Sequence, residues 1–100
     1  MTPEGKVKKE VKAYLTLRGW WFFMPVQNGM GLAGVPDILA VKEGQFLAVE
    51  TKAPGKRNNT TANQDRVLAD IAQHGSWSIV TDDVNHLRYF LEIEHGQING

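Results

Sequence analysis

The chain has 100 residues, no cysteine, and 11 basic against 11 acidic side chains, so its formal net charge is zero. A chain of this length buries roughly 65% of its unfolded surface, enough for one core and not two, and the lack of cysteine excludes disulfides and thiolate metal sites. No stretch approaches about 18 uninterrupted apolar residues and the N-terminus lacks a signal-peptide pattern, so a single domain over residues 1–100, working in the cytoplasm, is expected.

Residues 3–18 carry Val7, Val11, Tyr14, Leu15 and Arg18 at helical spacing, with Pro3 near the start and Gly19 just past the end. Trp20 to Val26 reads as a strand that is apolar on both faces, hence buried on both, either under helices or at a dimer interface. The stretch Gly29-Met-Gly-Leu-Ala-Gly34 matches a dinucleotide-binding glycine pattern, but Pro36 and an apolar strand follow where a helix should open. These glycines instead suit a tight turn or a close approach to DNA. Two strands then flank Lys42-Glu43-Gly44-Gln45. Residues 61–74 form a second helix ending at Gly75, Trp77 to Val80 a short strand, and Asp83 to Leu91 a final helix with Val84, Leu87 and Leu91 on one face. The order αβββαβα, with a mixed sheet, predicts a three-layer α/β fold.

Asp37, Glu50 and Lys52 stand out because they lie inside apolar strands, where charge is rare unless paired or bound to a metal. In Gln45 to Lys52 the pleat puts Phe46, Ala48, Glu50 and Lys52 on one face and Leu47, Val49 and Thr51 on the other. A two-residue or a four-residue loop at Lys42 to Gln45 sets Asp37 directly opposite Glu50, whereas a three-residue loop without a bulge breaks that pairing. Like charges about 5 Å apart at Cβ repel, and a divalent cation between them reverses the sign. Two acids with waters and phosphate oxygens suit Mg²⁺, and a lysine beside them suits orienting a water and offsetting transition-state charge. The pattern therefore suggests metal-assisted phosphodiester hydrolysis. The alternative is that Asp37 merely starts a strand while Glu50 and Lys52 form an exposed pair worth under about 1 kcal/mol.

Charge is unevenly placed along the chain. Residues 1–18 hold five basic and two acidic side chains, residues 52–66 four and one, and residues 67–100 one and five. Local cations rather than net charge set affinity for a phosphate backbone, so Lys6 and Lys9 in the first helix and Lys56 and Arg57 in the loop are candidate DNA contacts. The alternative is a solvated helix face and a polar loop, which is the favoured reading for the helix lysines taken alone. His74, His86 and His95 have no metal-ligand spacing and read as structural or surface residues.

Pro36-Asp37 followed by Glu50-Thr51-Lys52 resembles the Pro-Asp…(Asp/Glu)-x-Lys signature of restriction-endonuclease-like nucleases. The fuller Gly34-Val-Pro-Asp…Phe46-Leu-Ala-Val-Glu-Thr-Lys-Ala-Pro-Gly55, with Arg18-Gly19-Trp20 before it and Gln64 and Trp77-Ser-Ile-Val80 after it, is similar to the VRR-NUC branch, of the small standalone kind found in phage and bacteria. Thr51 stands where the namesake motif has another residue type. The resemblance implies a restriction-endonuclease-like core and an endonuclease using Mg²⁺ or Mn²⁺. Asp37, Glu50 and the carbonyl oxygen of Thr51 would hold the metal, Lys52 would manage the attacking water, and Gln64 with an acid from the first helix would complete the site. Glu4 shares the face of Val7, Val11 and Leu15 while Glu10 points aside, so Glu4 is the better candidate; it is equally a helix-start carboxylate favoured by the macrodipole. Gln64 is likewise the closing residue of a Thr61-x-x-Gln64 capping box. The resemblance further implies 5′-phosphate products, a homodimer, and preference for branched DNA such as Holliday junctions. The alternatives are a monomeric nick, flap or fork nuclease, a restriction-type nuclease with its own target sequence, and a non-cleaving DNA-binding module.

Overall fold

The computed structural model describes residues 1–27 and 31–97; part of the glycine-rich stretch, Gly29 and Met30, lies outside them. Helix α1 (Pro3–Leu17) begins where the Thr2 hydroxyl accepts a hydrogen bond from the Gly5 N–H at 3.0 Å, and Pro3 fills a position whose missing N–H costs nothing. It ends at Gly19, whose φ of 85° only glycine adopts without strain.

Strands β1 (Trp21–Phe23), β2 (Ile38–Lys42) and β3 (Gln45–Thr51) form an antiparallel meander. Strand β4 (Trp77–Thr81) pairs with β3 in parallel, giving a mixed sheet of order β1-β2-β3-β4. A parallel pair needs a long crossover, and helix α2 (Ala62–Gln73) supplies it. Helix α3 (Val84–Arg88) follows β4 and runs on into a π-helical segment (Tyr89–Glu94).

Strand alternation divides the apolar residues between two layers. Ile38, Ala40, Leu47, Val49 and Ile79 meet Val7, Val11 and Leu15 of α1 together with Leu87 and Leu91 in one core. Helix α2 lies on the opposite face, with Val67 and Leu68 buried and Ser78 Oγ donating to the Leu68 carbonyl at 3.1 Å. The expected three-layer αβββαβα arrangement is therefore present.

Two expectations are corrected. The strand at Trp20 to Val26 is only three residues long and is not buried on both faces. Phe22 packs against the core, but Trp21 is 64% and Phe23 46% exposed. Helix α2 packs over β4, and β1 lies three strands away at the far edge, so apolar residues on both faces do not mean that both are covered. The final helix is α-helical only to Arg88. The π-helical continuation carries Glu92 to Tyr14, whose hydroxyl donates to Glu92 Oε2 at 2.6 Å, with Arg18 donating to the same oxygen at 3.1 Å.

Candidate active site

Turn chemistry fixes the geometry of the site. Glu43 and Gly44 have φ of 51° and 81°, so both central residues of the β2–β3 loop are left-handed as a two-residue type I′ turn requires. The resulting register pairs Lys42 with Gln45 and Ile38 with Val49. One step further places Asp37 opposite Glu50, and the Asp37 N–H donates to Glu50 Oε1 at 3.2 Å. The site thus lies at one end of the sheet, beyond the start of β2 and at the carboxyl ends of the parallel β3–β4 pair. That is where open α/β sheets place ligands.

Asp37 sits in a bend just before β2, free of strand alternation, and its carboxylate turns toward Thr51. Asp37 Oδ2 accepts from the Thr51 N–H at 3.0 Å and from Thr51 Oγ1 at 2.7 Å. The fully buried Thr51 side chain points away from Glu50 and Lys52, as the pleat predicts, yet it is what orients Asp37. In an extended strand the C=O of a residue leaves on the same side as its N–H, so the Thr51 carbonyl faces past the end of β2, on the Asp37 side. Asp37 Oδ1 faces Lys8 Nζ at 3.7 Å.

Glu50 is 3% exposed and sits at the centre of the cluster. Gln64 Nε2 donates to its Oε2 at 3.0 Å, and Lys52 Nζ lies 3.5 Å from the same oxygen. Lys52 Nζ also donates to Gln64 Oε1 at 3.1 Å. Burial pushes the Glu50 carboxyl up to about 7, with the Asp37 charge adding to the shift and Lys52 opposing it. Gln64 meets both expectations at once. The Thr61 hydroxyl accepts from its N–H, its Oε1 accepts from the Thr61 N–H at 3.0 Å, and the same side chain bridges Glu50 and Lys52. The cap that starts α2 therefore also delivers Gln64 to the sheet end.

The remaining candidates lie outside this cluster. Glu4 is half-buried one turn before Lys8 on α1, while Glu10 lines a groove against α3 with Lys6, Asp82 and Asp83. Lys9 and Lys56 are exposed. Arg57 is tied down by Asp82, to whose Oδ1 it donates at 2.7 and 3.0 Å, while Asp82 Oδ2 accepts from the Gly55 N–H at 2.7 Å. The Gly55 N–H and the Arg57 guanidinium hold the Asp82 carboxyl below its ordinary range. His74, His86 and His95 all make local contacts: with the Asp70 carbonyl, with Thr81 Oγ1, and stacked on Trp77.

Three contributors escape sequence reasoning: Lys8, the Thr51 hydroxyl and Asp82. Gly34 has φ of 84°, and a Cβ there would lie 2.6 Å from the Asn63 carbonyl carbon and oxygen and 2.8 Å from Gln64 N. Its left-handed φ serves the turn at residues 33–34, as expected, and the lack of a Cβ also lets the chain pass against the first turn of α2. Helical periodicity placed Lys8 on α1 without naming its partner, and the others depend on long-range contacts that have no local signal.

Among the described residues no three Asp, Glu or His side chains form a closed metal cage. Two carboxylates at one point, one of them resisting ionisation through burial and a like-charged neighbour, nevertheless fit a hard cation that keeps most of its waters. Asp37 and Glu50, with the Thr51 carbonyl, are the groups that would hold it.

No family model matches the chain, and no curated protein matches it. Among solved structures it is similar to a VRR_NUC domain, at 25% identity and a TM-score of 0.73, with 93% of this chain and 98% of that one covered. The likeness extends over nearly all of both chains, and on that ground the chain is a VRR-NUC domain of restriction-endonuclease-like fold.

Proposed function

We propose that this domain is a divalent-metal-dependent DNA endonuclease that hydrolyses phosphodiester bonds and selects branched DNA such as four-way junctions. The observation that carries this reading is the single cluster at the sheet end. It joins Asp37, Glu50, Lys52 and Gln64, with a buried glutamate whose charge lacks full compensation.

A bound Mg²⁺ or Mn²⁺ supplies Lewis-acid stabilisation of charge on the phosphate and eases ionisation of a water. The chain's own residues do the rest. Asp37 and Glu50 hold the cation together with the Thr51 carbonyl. Lys52 orients the attacking water and offsets negative charge as the phosphorus becomes five-coordinate. Gln64 keeps Lys52 and Glu50 in fixed relation by bonding to each, and Glu4 stands close to the Lys8 turn of α1 as a further acid. Lys6, Lys9, Lys56 and Arg57 offer charge to the phosphate backbone, with Arg57 shared between DNA and Asp82. Products carry a 5′-phosphate.

One site cuts one strand, so paired cuts in a symmetric junction need two. The exposed Trp21 and Phe23, whose rings lie 5.7 Å apart, and the exposed Phe46 leave one side of the β1–β2–β3 sheet edge uncovered, which supports a homodimer.

A panel of labelled four-way junctions, flaps, forks, nicked and linear duplex, incubated with Mn²⁺, Mg²⁺ or EDTA, tests the reading. Metal-dependent, symmetric paired cuts in the junction are expected. Single cuts confined to flaps or forks would favour a monomeric flap nuclease, and DNA binding without cleavage in either metal would make the domain a non-cleaving module.

A further inference from the structure

We propose that Lys8 is a tethered counter-ion of this site: it neutralises Asp37 while no divalent cation is bound, is displaced when one binds, and then becomes available to a DNA phosphate. This rests on the metal-dependent reading above and adds a coupling between metal occupancy and DNA affinity.

The two carboxylates have separate lysines, held in different ways. Lys52 has a side chain only 12% exposed and is fixed by a 3.1 Å hydrogen bond to Gln64, so it belongs to the framework. Lys8 has a side chain 33% exposed and stands 3.7 Å from Asp37 Oδ1, an ion pair too long for a direct hydrogen bond. A pair of this kind is worth no more than about 1 kcal/mol. Asp37 itself does not need it for position, because Thr51 fixes the carboxylate through the other oxygen.

A cation coordinated by Oδ1 at about 2.1 Å would occupy the space that the ammonium now faces. Nζ would then stand within a few ångströms of a doubly positive ion, and repulsion would drive it out on its flexible four-carbon stem. Its base on α1 keeps it at the mouth of the site, where DNA phosphates must come if the scissile bond is to reach Asp37 and Glu50. Lys8 is thus a positioning residue. The metal-free protein offers DNA one cation fewer than the metal-loaded protein does.

Two measurements on Lys8→Met, which keeps the apolar stem, test this. By calorimetry without DNA, the variant should bind Mn²⁺ about two- to fivefold more tightly than the parent, the factor expected from removing a competitor worth up to about 1 kcal/mol, and Lys8→Arg should restore the parent affinity. In EDTA, Lys8→Met should leave the log–log salt slope of DNA binding unchanged in the parent, where Asp37 retains the ammonium. In an Asp37→Asn background it should lower the slope by about 0.9. Unchanged or weaker Mn²⁺ binding, or equal slope losses in both backgrounds, would overturn the proposal while leaving the nuclease reading intact. No Mn²⁺ binding by the parent protein would overturn both.

Discussion

Thr51 illustrates how one residue can serve two faces of a strand. Its side chain lies on the core side, away from Glu50 and Lys52, yet its hydroxyl donates to Asp37 Oδ2 at 2.7 Å. Thr51→Val keeps the shape and removes that bond, so it should cost about 1 kcal/mol in urea unfolding and weaken Mn²⁺ binding, whereas Thr51→Ser should preserve both. The opposition of Asp37 and Glu50 was legible because the pleat and the turn length determine register. The Thr51 contact was not, because Asp37 lies before the first paired residue of β2, where alternation no longer dictates direction. Glu50 gives a second test. Its carboxyl is raised from 4.5 to about 7 in the folded protein, by burial first and the Asp37 charge next. Between those values the native state holds more protons than the unfolded chain, so its contribution is fully present below pH 4.5 and is lost as pH rises through about 7. The metal-free parent should lose about 2–3 kcal/mol over that window relative to Glu50→Gln, as measured by urea unfolding at a series of pH values. Parallel pH profiles for the two proteins would contradict the shift.

At the scale of elements, the site depends on where α2 begins. Thr61 and Gln64 close a capping box, and Gly34 passes so near Asn63 that an added Cβ would meet backbone at 2.6 Å. Gly34→Ala should therefore displace the first turn of α2 or lower stability by more than about 2 kcal/mol. Thr61→Ala should cost about 1 kcal/mol through the lost cap. If both effects pass through Gln64, cleavage should fall in each variant by more than the loss of folded protein accounts for, which circular dichroism alongside a cleavage assay would separate. Helix and strand boundaries were largely readable, because Pro3, Gly19, Thr61 and Gly75 mark them chemically. The π-helical segment was not, since the contacts that accompany it, of Glu92 with Tyr14 and Arg18, are long-range and leave no mark in local periodicity. Apolar alternation at Trp21 to Phe23 identified a strand without saying what covers it.

At the scale of the whole molecule, the sheet has one guarded end and one bare side. The guarded end carries the site, while Trp21, Phe23 and Phe46 expose apolar surface on the same face as Glu50, at the β1 edge and toward the β2–β3 turn. Light scattering is expected to give twice the 11.2 kDa mass of one chain, and Trp21→Lys with Phe23→Lys should halve it without unfolding the core. Among the described residues no helix is long and apolar enough to cross a membrane, so that surface does not belong to a helical span. The central claim, that Asp37 and Glu50 hold a catalytic cation while Lys52 acts on water, is tested most directly by comparing Asp37→Asn with Lys52→Ala for cleavage of junction DNA and for Mn²⁺ binding by calorimetry. Both variants should lose turnover by several orders of magnitude, and only Asp37→Asn should lose Mn²⁺ binding, because Lys52→Ala leaves both carboxylates in place. Cleavage by Asp37→Asn near the parent rate, or Mn²⁺ binding as tight as the parent's, would make the facing acids a structural feature of the hairpin and contradict the account.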